Sequence, residues 1–432
     1  MAHDVYGNAI SCEDSQAVAD LNLFITQMLS YGSQAVRILD TARTFPHCAL
    51  AQAYAATLIM FSETGQASQN ALPYLRAAQQ CPANPREALF IRAVAGWVQG
   101  DLFEFLKTLQ ELVTRFPRDL FSLKLAQTLH LLLGDFEGML RLSTQALPAV
   151  TEVGYAHGMH AFALEQNHRI SEAQACALTA LRLNPQDPWA QHAYAHAQET
   201  QGHLDEGIRF MREYAHTWSE CNSFMRTHNW WHLALFHLDR DEPRAALDLY
   251  DHEVWGVWKE YSQDQIGAVA LLARLELHDV NVDDRWQALV PYLLTRVGET
   301  VSAFNDLHFL YGLARAGQER AVADKLNRFA LDAASVDPYV RRSWLEVGIP
   351  AARGVVAAAS GHFDDAVHAL RPVMGRLQEI GGSHAQRDLF ELIYLNALQR
   401  SGQQDGARTL LNKRIIDRPG IAWQHRWLGQ LH

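Results

Sequence analysis

Gly100, Gly134, His168 and Gly202 stand 34 residues apart in succession, and no other property of this chain narrows its fold as much. Each position breaks one apolar-periodic run and is followed by a second, as in Gly-Asp-Leu-Phe after residue 99 and Gly-Asp-Phe after residue 133. A fixed period of this length describes one helix–turn–helix unit repeated, since a single unit cannot bury its apolar face alone and must stack on its neighbours. Small residues fall where helices would have to approach closely, at Ala161, Ala173 and Ala180, and Pro185 closes that unit. Later units are longer and turn at Asp241, Gly317, Gly361 and Gly402, with Ala246, Ala366 and Ala407 each five residues beyond the turn.

A 34-residue helix–turn–helix period is the tetratricopeptide signature. Local signals agree with it. Asp187-Pro188 offers an N-cap with proline at the first helical position, and Ser383-His384-Ala385-Gln386 reads as a capping box. Alternating apolar runs joined by hairpin turns do not recur, so the expectation is an all-α, tetratricopeptide-type superhelical solenoid of about ten helix pairs. No Pro/Gly/Ser linker divides the chain, and residues 1–432 are read as one domain.

Composition limits the function classes. The chain is 48% hydrophobic and 20% charged, which supports a sizeable core. A net charge of -11 argues against nucleic acid or an anionic membrane as partner, because both call for a basic field. The beginning, Met1-Ala2-His3-Asp4, is neither basic nor followed by an apolar run, and no stretch is long and apolar enough to span a bilayer; a cytoplasmic protein is expected. The cysteines Cys12, Cys48, Cys81, Cys176 and Cys221 are scattered without a C-x-x-C pair and read as small buried hydrophobes. Nucleophile-elbow, P-loop and dinucleotide fingerprints are absent, which removes the common hydrolase, nucleotide and nicotinamide routes.

The chemistry-bearing residues gather on two consecutive repeats. At i, i+4 and i+7, His192, His196 and Glu199 share one helical stripe, and His228, Trp231 and His232 share the stripe of the matching helix. Two H-x-x-x-H pairs have the spacing that sets two imidazoles over one metal, so His192, His196, His228 and His232 are candidate ligands for a divalent transition metal, with Glu199, Asp306 or His308 completing the shell. The same residues serve a metal-free reading, in which a carboxylate tunes an imidazole for proton transfer, His308 with Asp306 or His196 with Glu199. Trp231 is a stacking wall or a core aromatic. Arg387, just inside a helix that follows Gly381-Gly382, could meet an anion together with that helix's N-terminal N–H groups.

Five blocks narrow the resemblance. They are His3-Asp4-Val5-Tyr6-Gly7-Asn8, Ala190 to Glu199, His228-Asn229-Trp230-Trp231-His232, Phe304-Asn305-Asp306-Leu307-His308-Phe309 and Gly381 to Asp388. In this order they resemble the tetratricopeptide repeat protein 38 family over nearly the whole chain. The resemblance implies that positions such as 192, 196, 199, 228 and 231 look inward. It also implies that the recurrent polar residues are His192, His196, Glu199, His228, Trp231, His232, Asp306, His308, Gln386, Arg387 and Asp388, while His384 departs from the pattern, where asparagine can stand. It supplies no general activity.

Two functions follow as expectations. The first is a solenoid holding a small molecule or peptide terminus in a concave pocket, with Trp231, Asn229, Gln386, Arg387 and Asp388 as binding residues. The alternative is an enzyme using His192, His196, Glu199, His228, His232, Asp306 and His308 for metal-assisted hydrolysis or acid–base proton transfer.

Overall fold

The computed structural model describes residues 2–431. Twenty-four α-helices occur among them, and the only strands are Ala2–His3 and Ala9–Ile10, a two-residue antiparallel pair not expected from the sequence. Asp4 accounts for that hairpin: its carboxylate accepts from the backbone N–H groups of Tyr6 and Asn8, while Gly7 takes a left-handed φ of 88°.

The turns lie where the 34-residue spacing places them. Gly100, Gly134, His168 and Gly202 have φ of 78°, 67°, 57° and 70°, and Asp241, Gly317, Gly361 and Gly402 share the left-handed conformation. A left-handed residue ends one helix by turning the chain off its axis. Where aspartate follows, it caps the next helix: Asp101 accepts from the Glu104 N–H and Asp135 from the Gly138 N–H. Asp187 caps Pro188–Gln201 through the N–H groups of Trp189 and Ala190, and Ser383 forms the capping box with Gln386.

Contacts divide the chain into two compact units, one of Met1–Leu131, Asp135–Tyr194 and Ser219–Met225, the other of Leu132–Gly134, Ala195–Trp218 and Arg226–His432. In the first, Ala49–Met60 pairs with Ala67–Gln80, Pro85–Gln99 with Leu102–Arg115, and Gly154–Gln166 with Ile170–Leu183. In the second, Ala303–Arg315 pairs with Glu319–Ser335, Ile349–Ala359 with Phe363–Leu370, and His384–Arg400 with Gln404–Asp417. Ser262–Leu277 also packs on His384–Arg400, which positions the site described below.

Ala161, Ala173 and Ala180 are fully buried in the seam of the Gly154–Gln166 pair, and Ala246, Ala366 and Ala407 are equally buried in theirs. Ala173→Leu is therefore expected to overpack its seam and cost about 1–3 kcal/mol, read from the urea midpoint at unchanged slope. A loss below about 0.5 kcal/mol would mean that the seam has slack.

Among the cysteines, only Cys48 is buried; the other four are half-buried free thiols, less enclosed than expected. Cys12, Cys81 and Cys221 lie outside the helices, where no packed seam encloses them, and only Cys176 belongs to a helix, Ile170–Leu183. No helix among the described residues is long and apolar enough to cross a membrane.

Candidate functional site

Within the second unit, the helix Ser223–Asp239 sets His228, Trp231 and His232 on one face, as three- and four-residue spacing requires. The His228 ring stacks on Trp231 at 5.3 Å and 9°, and meets His232 edge-on at 4.8 Å. His196 lies 4.5 Å from His232, ring centre to ring centre. Glu199, one turn beyond His196, is hydrogen-bonded through Oε2 to Nδ1 of His232 at 3.2 Å. The carboxylate thus orients His232 and leaves the opposite ring nitrogen, Nε2, as the chemically distinct one. Glu199 is thus bonded to His232 on the neighbouring helix, a pairing that the sequence, which set Glu199 beside His196, did not indicate.

Burial controls the charges here. It pushes the Glu199 carboxyl up to about 7, with Arg418 and His196 pulling the other way. Burial also holds His228 down to about 3, helped by the nearby His196. Glu199 therefore titrates near neutral pH rather than as an ordinary carboxylate, and His228 stays uncharged well into the acid range.

The remaining candidates are placed as follows. His308 donates Nδ1–H to the Phe304 carbonyl at 2.9 Å and packs on Phe390, and burial lowers it to about 4. Asp306 does not serve it. That carboxylate is bound to Lys325 at 2.8 Å with both side chains buried, so the His308–Asp306 pairing expected from the sequence is not formed. Gln386 is engaged in the capping box, Arg387 turns its guanidinium back to the Gly382 carbonyl, and Asp388 accepts from Arg414 at 2.6 Å. Burial would raise Asp388, but Arg414, followed by Arg274 and Arg418, holds it below the ordinary carboxylate range. His192 belongs to the first unit, where its ring stacks on Trp189 at 4.5 Å.

Two imidazole pairs in the second unit have ring nitrogens within 4.8 Å of each other, His228 with His232 and His196 with His384. Each pair offers two of the three protein ligands that a catalytic zinc takes. Glu199 orients His232 from behind, the position of a carboxylate that tunes a ligand rather than binding metal itself. His384, set aside in the sequence because asparagine can stand there, lies beside His196 and bonds through Nε2 with the Thr200 hydroxyl at 3.2 Å.

The residue that sequence reasoning missed is Arg274. Its guanidinium is 2% exposed, lies 5.2 Å from the Trp231 ring centre and donates to two backbone carbonyls, Ala270 at 3.2 Å and Ala385 at 2.8 Å. Among the described residues no carboxylate is in ion-pair contact with it; Arg414 and Arg418, by contrast, hold Asp388 and Asp239 directly. A signal existed, for Leu271-Leu272-Ala273-Arg274-Leu275 puts one charge inside an apolar helical run. Asn229, fully buried, likewise has neither its Oδ1 nor its Nδ2 bonded within the described protein, and the Trp231 Nε1–H is in the same state. Buried polar groups left so are costly and call for an external partner.

No protein-family model matches the sequence. Among solved structures, the chain is similar to a human IFIT1 dimer with PPP-AAAA, at 13% identity over 98% of this chain and 95% of that one, with a TM-score of 0.46. It is also similar to a monomeric IFIT1 mutant with Gppp-AAAA, at 13% identity over 96% and 100% and a TM-score of 0.40. A Naa15/Naa10 complex bound to HypK-THB matches at 11% identity over 95% and 65%, with a TM-score of 0.26. Independently of these likenesses, helix pairs joined by left-handed turns 34 residues apart give the chain an all-α architecture of the tetratricopeptide type.

Nucleic acid was excluded on net charge, yet the similar IFIT1 chains hold PPP-AAAA and Gppp-AAAA. Net charge sums over a whole surface, whereas a ligand end meets only the groups of one site, so -11 does not carry that exclusion.

Proposed function

We propose that the second unit binds a carboxylate, of a small molecule or of a peptide C-terminus, with Arg274 as its anchor. The observation that carries this reading is a buried guanidinium whose hydrogen bonds go to backbone carbonyls and whose charge meets no contacting carboxylate. Arginine's planar fork suits bidentate carboxylate recognition, and desolvation makes such a bond strong. Trp231 would lie against the ligand's apolar body, with His228 and His232 on the same helical face as further hydrogen-bonding groups. Binding is preferred to catalysis because the buried Arg274 charge has no carboxylate in ion-pair contact among the described residues, whereas Glu199 is already hydrogen-bonded to His232. We also assign the chain to the tetratricopeptide repeat protein 38 family, on the ordered blocks from His3 to Asp388.

Titration calorimetry tests the anchor. Benzoate, phenylacetate, succinate and a short peptide with a free C-terminus are compared with the corresponding amides. Only the free carboxylates should bind, Arg274→Met should weaken them at least tenfold, and Arg274→Lys should recover part of the loss. The ranking of peptide against small acid then separates the two sources. Equal binding of the amides, or unchanged affinity in a folded Arg274→Met variant, would defeat the reading.

A further inference from the structure

The first unit contains a lysine in an unusual setting. The chain has five lysines, Lys107, Lys124, Lys259, Lys325 and Lys413. Two are buried, and they are treated differently. Lys325 is held by Asp306 and by the Glu299 carbonyl. Lys124, 7% exposed, has no carboxylate in ion-pair contact among the described residues; its ammonium lies 3.4 Å from the Tyr31 ring centre, 5.7 Å from that of Trp189 and 3.3 Å from the Leu29 carbonyl.

The surroundings have the form of a small reaction site. Asp187 is fully buried. Its Oδ1 caps the helix Pro188–Gln201, while Oδ2 has no hydrogen-bond partner among the described residues. Gly158 lets its helix pack directly against that oxygen, since a Cβ there would stand 2.8 Å from Oδ2. Tyr31, Tyr155, Trp189 and Phe224 are half-buried around the pair, with Tyr31 stacked on Trp189 at 5.4 Å and tilted against Phe224 at 5.9 Å. Aromatic side chains therefore line the side from which a ligand could approach. Burial lowers the Lys124 ammonium, against the pull of Asp187, and burial raises the Asp187 carboxyl, against its helix-cap bonds and Lys124. The charged and titratable groups acting on the pair are each other, the tyrosines, whose hydroxyls burial keeps neutral, and the Cys221 thiol, which burial pushes up to about 12.

From this arrangement we infer that Lys124 is a nucleophilic amine that captures an aldehyde, preferably one with an aromatic or apolar body, as a reversible imine. The Nζ lone pair attacks the carbonyl carbon, a C–N bond forms, and the carbonyl oxygen departs as water with both amine hydrogens. No oxidant or reductant is needed, and hydrolysis returns the aldehyde.

The full chain is treated with salicylaldehyde at pH 7, reduced with cyanoborohydride and mapped by peptide mass spectrometry. Lys124 should be labelled at least tenfold faster than the exposed Lys107 and Lys413, and Lys325 should remain unlabelled. Asp187→Asn keeps a capping side chain but removes the charge that stabilises the ammonium, so labelling of Lys124 at pH 6 should rise severalfold. Labelling of Lys124 no faster than Lys107, or only after unfolding in urea, would overturn the inference. So would an Asp187→Asn variant with wild-type melting and an unchanged pH profile. Because this site belongs to the first unit, neither result depends on carboxylate binding at Arg274.

Discussion

Asp306→Ala is expected to destabilise the protein by about 3–5 kcal/mol, measured by urea denaturation, the largest loss anticipated for a single change. Asp306 and Lys325 are 1% and 0% exposed and 2.8 Å apart, and the ammonium also donates to the Glu299 carbonyl at 2.7 Å. Removing the carboxylate leaves a buried ammonium without its counter-charge. The cost is that of the orphaned ion rather than of the pair, so the double variant Asp306→Leu/Lys325→Met should recover most of it. Asp306 was a candidate catalytic residue on sequence; a loss confined to ligand binding or turnover, with stability intact, would restore that role.

Glu199→Gln should change how stability depends on pH, by up to about 3 kcal/mol between pH 4 and pH 8. Burial raises the Glu199 carboxyl from 4.5 to about 7 in the folded chain. Between those values the native state holds a proton that the unfolded chain has released, so stability falls as pH rises through this window and the cost is complete above it. Glutamine cannot ionise and escapes that cost. The variant should accordingly gain on the wild type from pH 4 to pH 8, as read from paired denaturation curves. His228 and His308, held down to about 3 and 4, impose a loss on acidification below pH 6.5 in both proteins, which cancels in the difference. A difference independent of pH would mean that Glu199 ionises in the folded chain as it does in water.

The repeat was legible because turn geometry is local. A left-handed residue at each junction can be read from glycine, and the same period places His168 and Asp241, which adopt φ of 57° and 64° without being glycine. Caps were legible for the same reason, at Asp187 and Ser383. The row of His228, Trp231 and His232 followed from helical spacing. What spacing could not supply was the partner across the seam. Glu199 bonds His232, Asp306 faces Lys325 rather than His308, and Arg274 reaches Trp231 and the Ala385 carbonyl because Ser262–Leu277 packs on His384–Arg400. Such pairings depend on which helices stack and on their relative rotation, and one strand of periodicity holds neither.

A crystal structure of the protein with the tightest-binding carboxylate from the calorimetric series tests the central claim most directly. The account predicts both carboxylate oxygens within hydrogen-bond distance of the Arg274 guanidinium, with the ligand's body against Trp231. A carboxylate bound elsewhere, with Arg274 still donating only to the Ala270 and Ala385 carbonyls, would contradict it.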